Sequence, residues 1–196
     1  MIRDLDATIS KLLLTRAEQD SALASADISF EIPDSKWQDK LKKITVNCYL
    51  YDIHENLELK TFEPLVKRNS DKTLVSVREA PRRIDCAYCI TAWSTSKEDA
   101  VFEEHRVLGQ ILNVLLRHRS IPDDVLEGEL NNSIPPFPTV IASTDGMKNN
   151  PQFWGALDQR FKPSLNYIVT LAMMLDTLPD SAPAVVDEVH VEVDHL

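Results

Sequence analysis

Ile2, Leu5, Ile9, Leu12 and Leu13 recur at helical spacing with charges between them, which predicts a helix over roughly 2–19 that buries one apolar stripe. Ile28 to Ile32 alternates with period two and stops at Pro33, the pattern of a short strand. A clearer strand follows, in which Ile44, Val46, Cys48 and Leu50 alternate with Thr45, Asn47, Tyr49 and Tyr51, giving one apolar and one polar-aromatic face. Leu74 to Val77 predicts another short strand, and Ile84 to Trp93 a longer β-rich run. Ser94, Thr95 and Ser96 are cap candidates for a long helix over roughly 97–119. Ala100, Val101, Val107, Leu108, Ile111, Leu112, Leu115 and Leu116 cluster on one side of it, and Arg117, His118 and Arg119 end it where the dipole favours cations.

Beyond Ile121-Pro122, the segment from Val125 to Leu130 allows a strand, Pro135, Pro136 and Pro138 stiffen a loop, and Thr139 to Ala142 reads as another strand. Asn150-Pro151 opens a short helix carrying Phe153, Trp154, Leu157 and Phe161, which Pro163 closes. The alternation from Leu165 to Leu175 predicts a strand, with a helix as the alternative because the run is rich in Leu, Met and Ala. The expected fold class is α+β: a mixed sheet flanked by the long helix and the N-terminal helix over 1–178, then a tail over 179–196. In that tail Val185, Val189, Val191 and Val193 alternate with acids and histidines as an extended strand lacking a local hairpin partner. Such a strand either returns to its own sheet or augments the edge of another subunit.

Length and composition fit one globular domain: 196 residues, 43% hydrophobic and 27% charged. The 31 acids outnumber the 21 bases, which argues against nucleic acid or anionic membrane as partners. No apolar run approaches the roughly 20 residues of a membrane span, and the first residues alternate charge with apolar positions where a signal peptide needs continuity. A cytoplasmic product without direct membrane insertion is expected. The four glycines are too dispersed for a phosphate loop or dinucleotide fingerprint. Charge is uneven along the chain. Six acids and no Lys or Arg lie from Asp176 onward, whereas six cations, Lys67, Arg68, Lys72, Arg78, Arg82 and Arg83, face only Asp71 and Glu79 between 67 and 83. The tail and the basic segment are therefore complementary, within one subunit or between two. The expected interface residues are Arg78, Arg82 and Arg83, with Val185, Val189, Val191 and Val193.

Candidate chemistry reduces to bland readings. Cys86 and Cys89 have the C-x-x-C spacing, but on a strand residues three apart face opposite sides, so the sulfurs do not converge. With Cys48 they are read as reduced, buried thiols. Glu188, His190, Glu192 and Asp194 share a face of the tail without a fixed pocket, which is a solvated face rather than a metal site. Ser143-Thr144-Asp145-Gly146 lacks the G-x-S-x-G pattern and reads as a turn. Trp37, Trp93 and Trp154 are read as core or subunit-contact aromatics. No catalytic, cofactor-binding or metal-binding residue is expected.

One ordered set of motifs remains. Arg78-Glu79-Ala80-Pro81 leads into Tyr88-Cys89-Ile90-Thr91-Ala92-Trp93-Ser94; Glu104 to Gly109 and Leu126-Glu127-Gly128 follow at intervals; Phe153-Trp154-Gly155-Ala156-Leu157 and Lys162-Pro163-Ser164-Leu165-Asn166-Tyr167-Ile168-Val169-Thr170 complete it. Over roughly 1–175 the chain resembles the cap, or tail-terminator, proteins of bacterial contractile injection systems, which are phage-tail-like particles. The resemblance implies a homohexameric ring on the distal end of a sheathed tube, with the contractile sheath protein and the inner tube protein as partners. It also implies a structural, non-enzymatic role and no cofactor. The alternatives are another ring-forming baseplate or adaptor component of the same particle and, third, a small-molecule enzyme.

Overall fold

The computed structural model describes residues 1–63, 65–68, 75–143 and 151–174. Its centre is the twelve-residue strand β5 (Arg82–Trp93), in which every side chain from Asp85 to Trp93 is buried. A strand buried on both faces needs a layer above and a layer below, and the rest of the chain supplies them. On one side β2 (Thr45–Glu55) pairs antiparallel with β5, Thr45 opposite Trp93 and Glu55 opposite Ile84, with an irregularity between Leu50 and Asp52. On the other side β7 (Leu165–Met173) pairs antiparallel, Leu165 opposite Ile90 and Met173 opposite Arg82. Two three-residue strands form the edges: β1 (Asp27–Ser29), parallel to β2, and β6 (Thr139–Ile141), antiparallel to β7. The sheet order is β1-β2-β5-β7-β6. Between β2 and β5 in sequence, β3 (Leu65–Arg68) and β4 (Val75–Arg78) make a separate antiparallel ladder.

Alternation along β5 sends its side chains to two different cores. Cys86, Tyr88, Ile90 and Ala92, with Val46, Cys48, Tyr167, Val169 and Leu171, meet the helices α1 (Ile2–Arg16) and α3 (Ala100–Leu116). Leu5, Ile9, Leu12 and Leu13 form the inward stripe of α1, and Val107, Ile111, Val114 and Leu115 that of α3. On the opposite face Cys89 and Trp93 join Trp37 from α2 (Ser35–Gln38) and Trp154 from α4 (Pro151–Ala156). The Trp37 and Trp93 rings meet edge to face at 5.4 Å and 83°. Asp34 caps α2 by accepting the Trp37 N–H at 2.7 Å, which orients that tryptophan toward the sheet.

Several expectations need correction. The first helix ends at Arg16, and β1 stops at Ser29, where the Oγ accepts the Trp37 indole N–H at 3.2 Å and the chain bends away. The alternation expected of β2 holds, and its polar-aromatic face is covered at its start: Thr45 and Asn47 are buried, and Asn47 Nδ2 donates to the Glu31 carbonyl at 2.8 Å. The long helix begins at Ala100, because the serines expected as its caps order the turn before it instead. Ser94 Oγ accepts the Ser96 N–H at 3.0 Å and Ser96 Oγ accepts the Asp99 N–H at 3.2 Å. The helix ends at Leu116, so it spans about 26 Å at ~1.5 Å per residue, and Arg117, His118 and Arg119 fall at or beyond its cap. Residues 125–130 are not a strand but parts of two 3-10 turns, Asp123–Val125 and Gly128–Asn132. Side chains of α1 claim this segment's backbone: Thr8 Oγ1 accepts the Glu127 N–H at 3.0 Å and Asp4 Oδ2 the Glu129 N–H at 3.3 Å. The α4 helix stops at Ala156, before Pro163. Leu165–Met173 is a strand, so its helical alternative falls. The 179–196 tail, with Val185, Val189, Val191 and Val193, lies outside the described residues.

Among the described residues Gly128 is the one glycine whose conformation the structure demands, with φ of +55°. A Cβ there meets Asp4 Oδ1 at 2.4 Å and Asp4 Cγ at 2.5 Å. Gly128→Ala should therefore lose about 1–3 kcal/mol, from left-handed backbone strain plus displacement of a carboxylate that holds the Glu129 N–H. Urea unfolding measures it, and an unchanged midpoint would contradict this account.

Candidate assembly interface

At the far end of β2 a built loop projects from the sheet. Asp85, only 8% exposed, lies beneath it and accepts three hydrogen bonds: Thr170 Oγ1 at 2.6 Å, and Asn56 Nδ2 at 3.2 and 3.0 Å on its two oxygens. Asn56 is pinned further by its own N–H, which donates to the Arg83 carbonyl at 2.8 Å. Its Oδ1 then accepts the Leu59 N–H at 2.9 Å, which turns the loop. The buried carboxylate thus sets a loop that shows Leu57, Leu59 and Phe62 to solvent at 71%, 45% and 80% exposure. His54 stands beside it, Nδ1 3.0 Å from Asp52 Oδ2 and Nε2 3.7 Å from Asp85 Oδ2.

The opposite end of the sheet carries the start of α3. The backbone N–H of Ser94 donates to Glu104 Oε1 at 3.1 Å, the Ser94 hydroxyl bonds Glu103, and Lys162 pairs with Glu104. The Lys162 ammonium also lies 4.5 Å from the Trp93 ring centroid, so the helix start is tied to the tryptophan core. Val101 and Phe102, on the first turn, are 58% and 77% exposed. The sequence stripe had counted Val101 among the buried positions; helical phase turns it outward.

The arginines expected at an interface are partly engaged already. Arg82 Nη1 donates to Glu55 Oε1 at 3.0 Å, and with Lys60 it holds the Glu55 carboxyl below the usual range. Arg83 is half-buried and its carbonyl serves Asn56. Arg78 ends β4 opposite Leu65. Arg82 and Arg83 are consecutive at the loop end of β5, so their side chains leave opposite faces of the strand, and Arg78 is the last residue of β4. The valines expected opposite them lie outside the described residues. Sequence reasoning missed Asn56, Asp85 and the exposed apolar loop.

The cysteine reading holds in detail. Cys86 enters the helix-side core and Cys89 the tryptophan core, and all three thiols are free and buried. Burial pushes Cys86 and Cys89 up to about 11 and Cys48 further still. No thiol should react with a maleimide at pH 7 in the folded protein, and three should react after denaturation. A folded-state stoichiometry of one or more would contradict this burial. Among the described residues no group of three or more His, Cys, Asp and Glu is placed to hold a metal. An open trough of about 650 Å³ runs along β1, lined by Ser29, Phe30, Lys40 and Leu41 among others. Asp6, packed against the sheet, accepts the Tyr88 hydroxyl at 2.8 Å, and desolvation raises its carboxyl despite that bond.

The mixed five-stranded sheet with its flanking helices is the fold of a solved sheath/tube terminator of a contractile injection system. The chain belongs to the Pvc16 N-terminal domain family, which matches residues 4–188. Among solved structures it is similar to the PVC sheath/tube terminator of an extracellular contractile injection system in its extended state, at 25% identity and a TM-score of 0.67. It also shares the fold of the anti-feeding prophage tube-terminating cap, at 24% identity and a TM-score of 0.63. Both alignments cover 100% of this chain but only 64% and 62% of those proteins. No curated protein sequence matches the chain. Among the described residues no helix is long and apolar enough to cross a membrane.

Proposed function

We propose that the chain is a structural cap that forms a ring on the distal end of a contractile sheath-tube particle, stops polymerisation and joins the last sheath and tube layers. The observation that carries this reading is the whole-chain likeness to a sheath/tube terminator, within a family match over residues 4–188. Its activity is geometric: one face fits the tube or sheath end and the other offers no seat for a further layer. Six copies in a closed ring let one heterologous contact satisfy every subunit. Assembly in the cytoplasm, before any release of the particle, suits a chain whose buried thiols are all unpaired. The test mixes the purified chain with growing tubes and sheath. Elongation should stop in proportion to added chain, and unchanged growth with a monomeric chain by light scattering would refute the proposal.

The division into a 1–178 domain and a 179–196 tail belongs to the same reading. Its basis is the change in sequence after Leu178, where Pro179 and Pro183 flank a short linker, within a stretch from Asp176 onward that holds six acids and no Lys or Arg. In this proposal the strand of Val185, Val189, Val191 and Val193 pairs with a neighbouring cap or sheath subunit. Its acids then lie near Arg78, Arg82 and Arg83, so docking weakens as salt rises.

A further inference from the structure

We infer that two copies of the free chain pair through the outer face of α3, antiparallel about Gly109, so that Phe102 of each copy seats on Leu116 of the other. Phe102 and Leu116 are 77% and 57% exposed. They lie seven residues to either side of Gly109, nearly two helical turns each way, so the three share one stripe. That stripe is opposite the buried Val107, Ile111, Val114 and Leu115. Gly109 is exposed at mid-helix, where glycine weakens a helix relative to alanine. A Cβ there meets nothing within 4 Å, so no neighbour inside the chain requires its absence. A bare position between two exposed apolar side chains lets a second helix axis come close, with Phe102 and Leu116 closing on either side of the crossing.

Charge selects a second copy and its direction. At the helix start Glu98 and Asp99 are exposed against Lys97, while Glu103 is held by Ser94 and Glu104 by Lys162. Arg117 and Arg119 are exposed at the helix end; Glu18 lines the same hollow as Arg117, and Arg16 is already paired with Asp124. One end of the face is therefore anionic and the other cationic. A copy laid parallel sets acid on acid, base on base and Phe102 on Phe102. Laid antiparallel, it sets each anionic end on a cationic one and opposes the helix dipoles. Because 102 and 116 are equidistant from 109, that contact is self-complementary about a two-fold axis at Gly109. His105 and Arg106, beside the crossing, then face Asn113 and Leu112 of the second copy, which carry no charge. A single helix pair buries less than the roughly 1,200 Å² of a stable interface, so the dimer is weak and exchanging. A two-fold contact does not build a ring of head-to-tail subunits, so the pairing is independent of the cap reading.

Oxidative disulfide trapping of the purified full chain tests the pairing, since the three native thiols are buried. Gly109→Cys should give a disulfide-linked dimer on a non-reducing gel. Phe102→Cys mixed with Leu116→Cys should do the same. Either of those two alone should stay monomeric, because its two copies lie about 21 Å apart along antiparallel helices. A monomeric Gly109→Cys, or Phe102→Cys alone linking as well as the mixture does, would overturn the inference. Gly109→Leu separates pairing from folding: the site is open and leucine is the better helix former, so the melting temperature should hold or rise. Its monomer–dimer equilibrium, read by sedimentation, should weaken at least tenfold, and an equilibrium that does not move would also refute the pairing. Particles whose distal ends lack the chain would fail the cap reading and leave this contact standing.

Discussion

Trp93→Ala should destabilise the domain by about 3–5 kcal/mol, the cost of truncating a fully packed tryptophan. Trp93 is 3% exposed at the end of the central strand. Its ring takes the edge of Trp37 at 5.4 Å, its Nε1 donates to Thr91 Oγ1 at 2.8 Å, and Lys162 stands over it at 4.5 Å. Truncation leaves a cavity that Trp37 and Trp154, fixed on short helices of their own, cannot fill. It also strips Lys162 of its aromatic support, which loosens Glu104 and the start of α3. Trp93→Phe keeps the ring contact and should lose markedly less. Urea unfolding decides it, and a loss below about 1 kcal/mol for the alanine variant would mean that the tryptophan cluster does not form a second core.

Deleting residues 180–196 should leave the melting temperature nearly unchanged and broaden the length distribution of assembled tubes. The valines of this segment follow a linker flanked by Pro179 and Pro183 and have no local hairpin partner in the sequence. A strand donated outward contributes to neighbours rather than to its own domain, so its loss appears in assembly. A strand that folds back exposes an edge when removed and lowers stability by several kcal/mol. A large drop in melting temperature with unchanged tube lengths would show that the tail belongs to the domain's own sheet.

Periodicity located the elements that bury one regular stripe. The Leu5–Ile9–Leu12–Leu13 stripe, the β2 alternation and the Leu165–Met173 run each carry a signal that packing reinforces. It failed where side chains of a distant element decide the backbone. Residues 125–130 look strand-like, yet Thr8 and Asp4 on α1 accept the N–H groups of Glu127 and Glu129, and Gly128 turns the chain at positive φ. The serines before α3 carry the right cap chemistry but spend it on the turn that precedes Asp99. The candidate interface was half legible. Charge counting found the basic segment, because opposite charges need no register to be complementary. The apolar loop of Leu57, Leu59 and Phe62 has no period, and its brace depends on a contact between Asn56 and Asp85 that only the fold brings together. The resemblance to terminators rested on ordered motifs along the chain; the sheet order and the family match carry the same assignment.

The central claim is that this chain closes the end of the particle, and electron microscopy of isolated particles carrying a label on the chain tests it most directly. The account predicts one ring of the chain per particle, at the end away from the baseplate, in contact with the last sheath and tube layers. Label at the baseplate end, along the sheath, or absent from particles of normal length would contradict it.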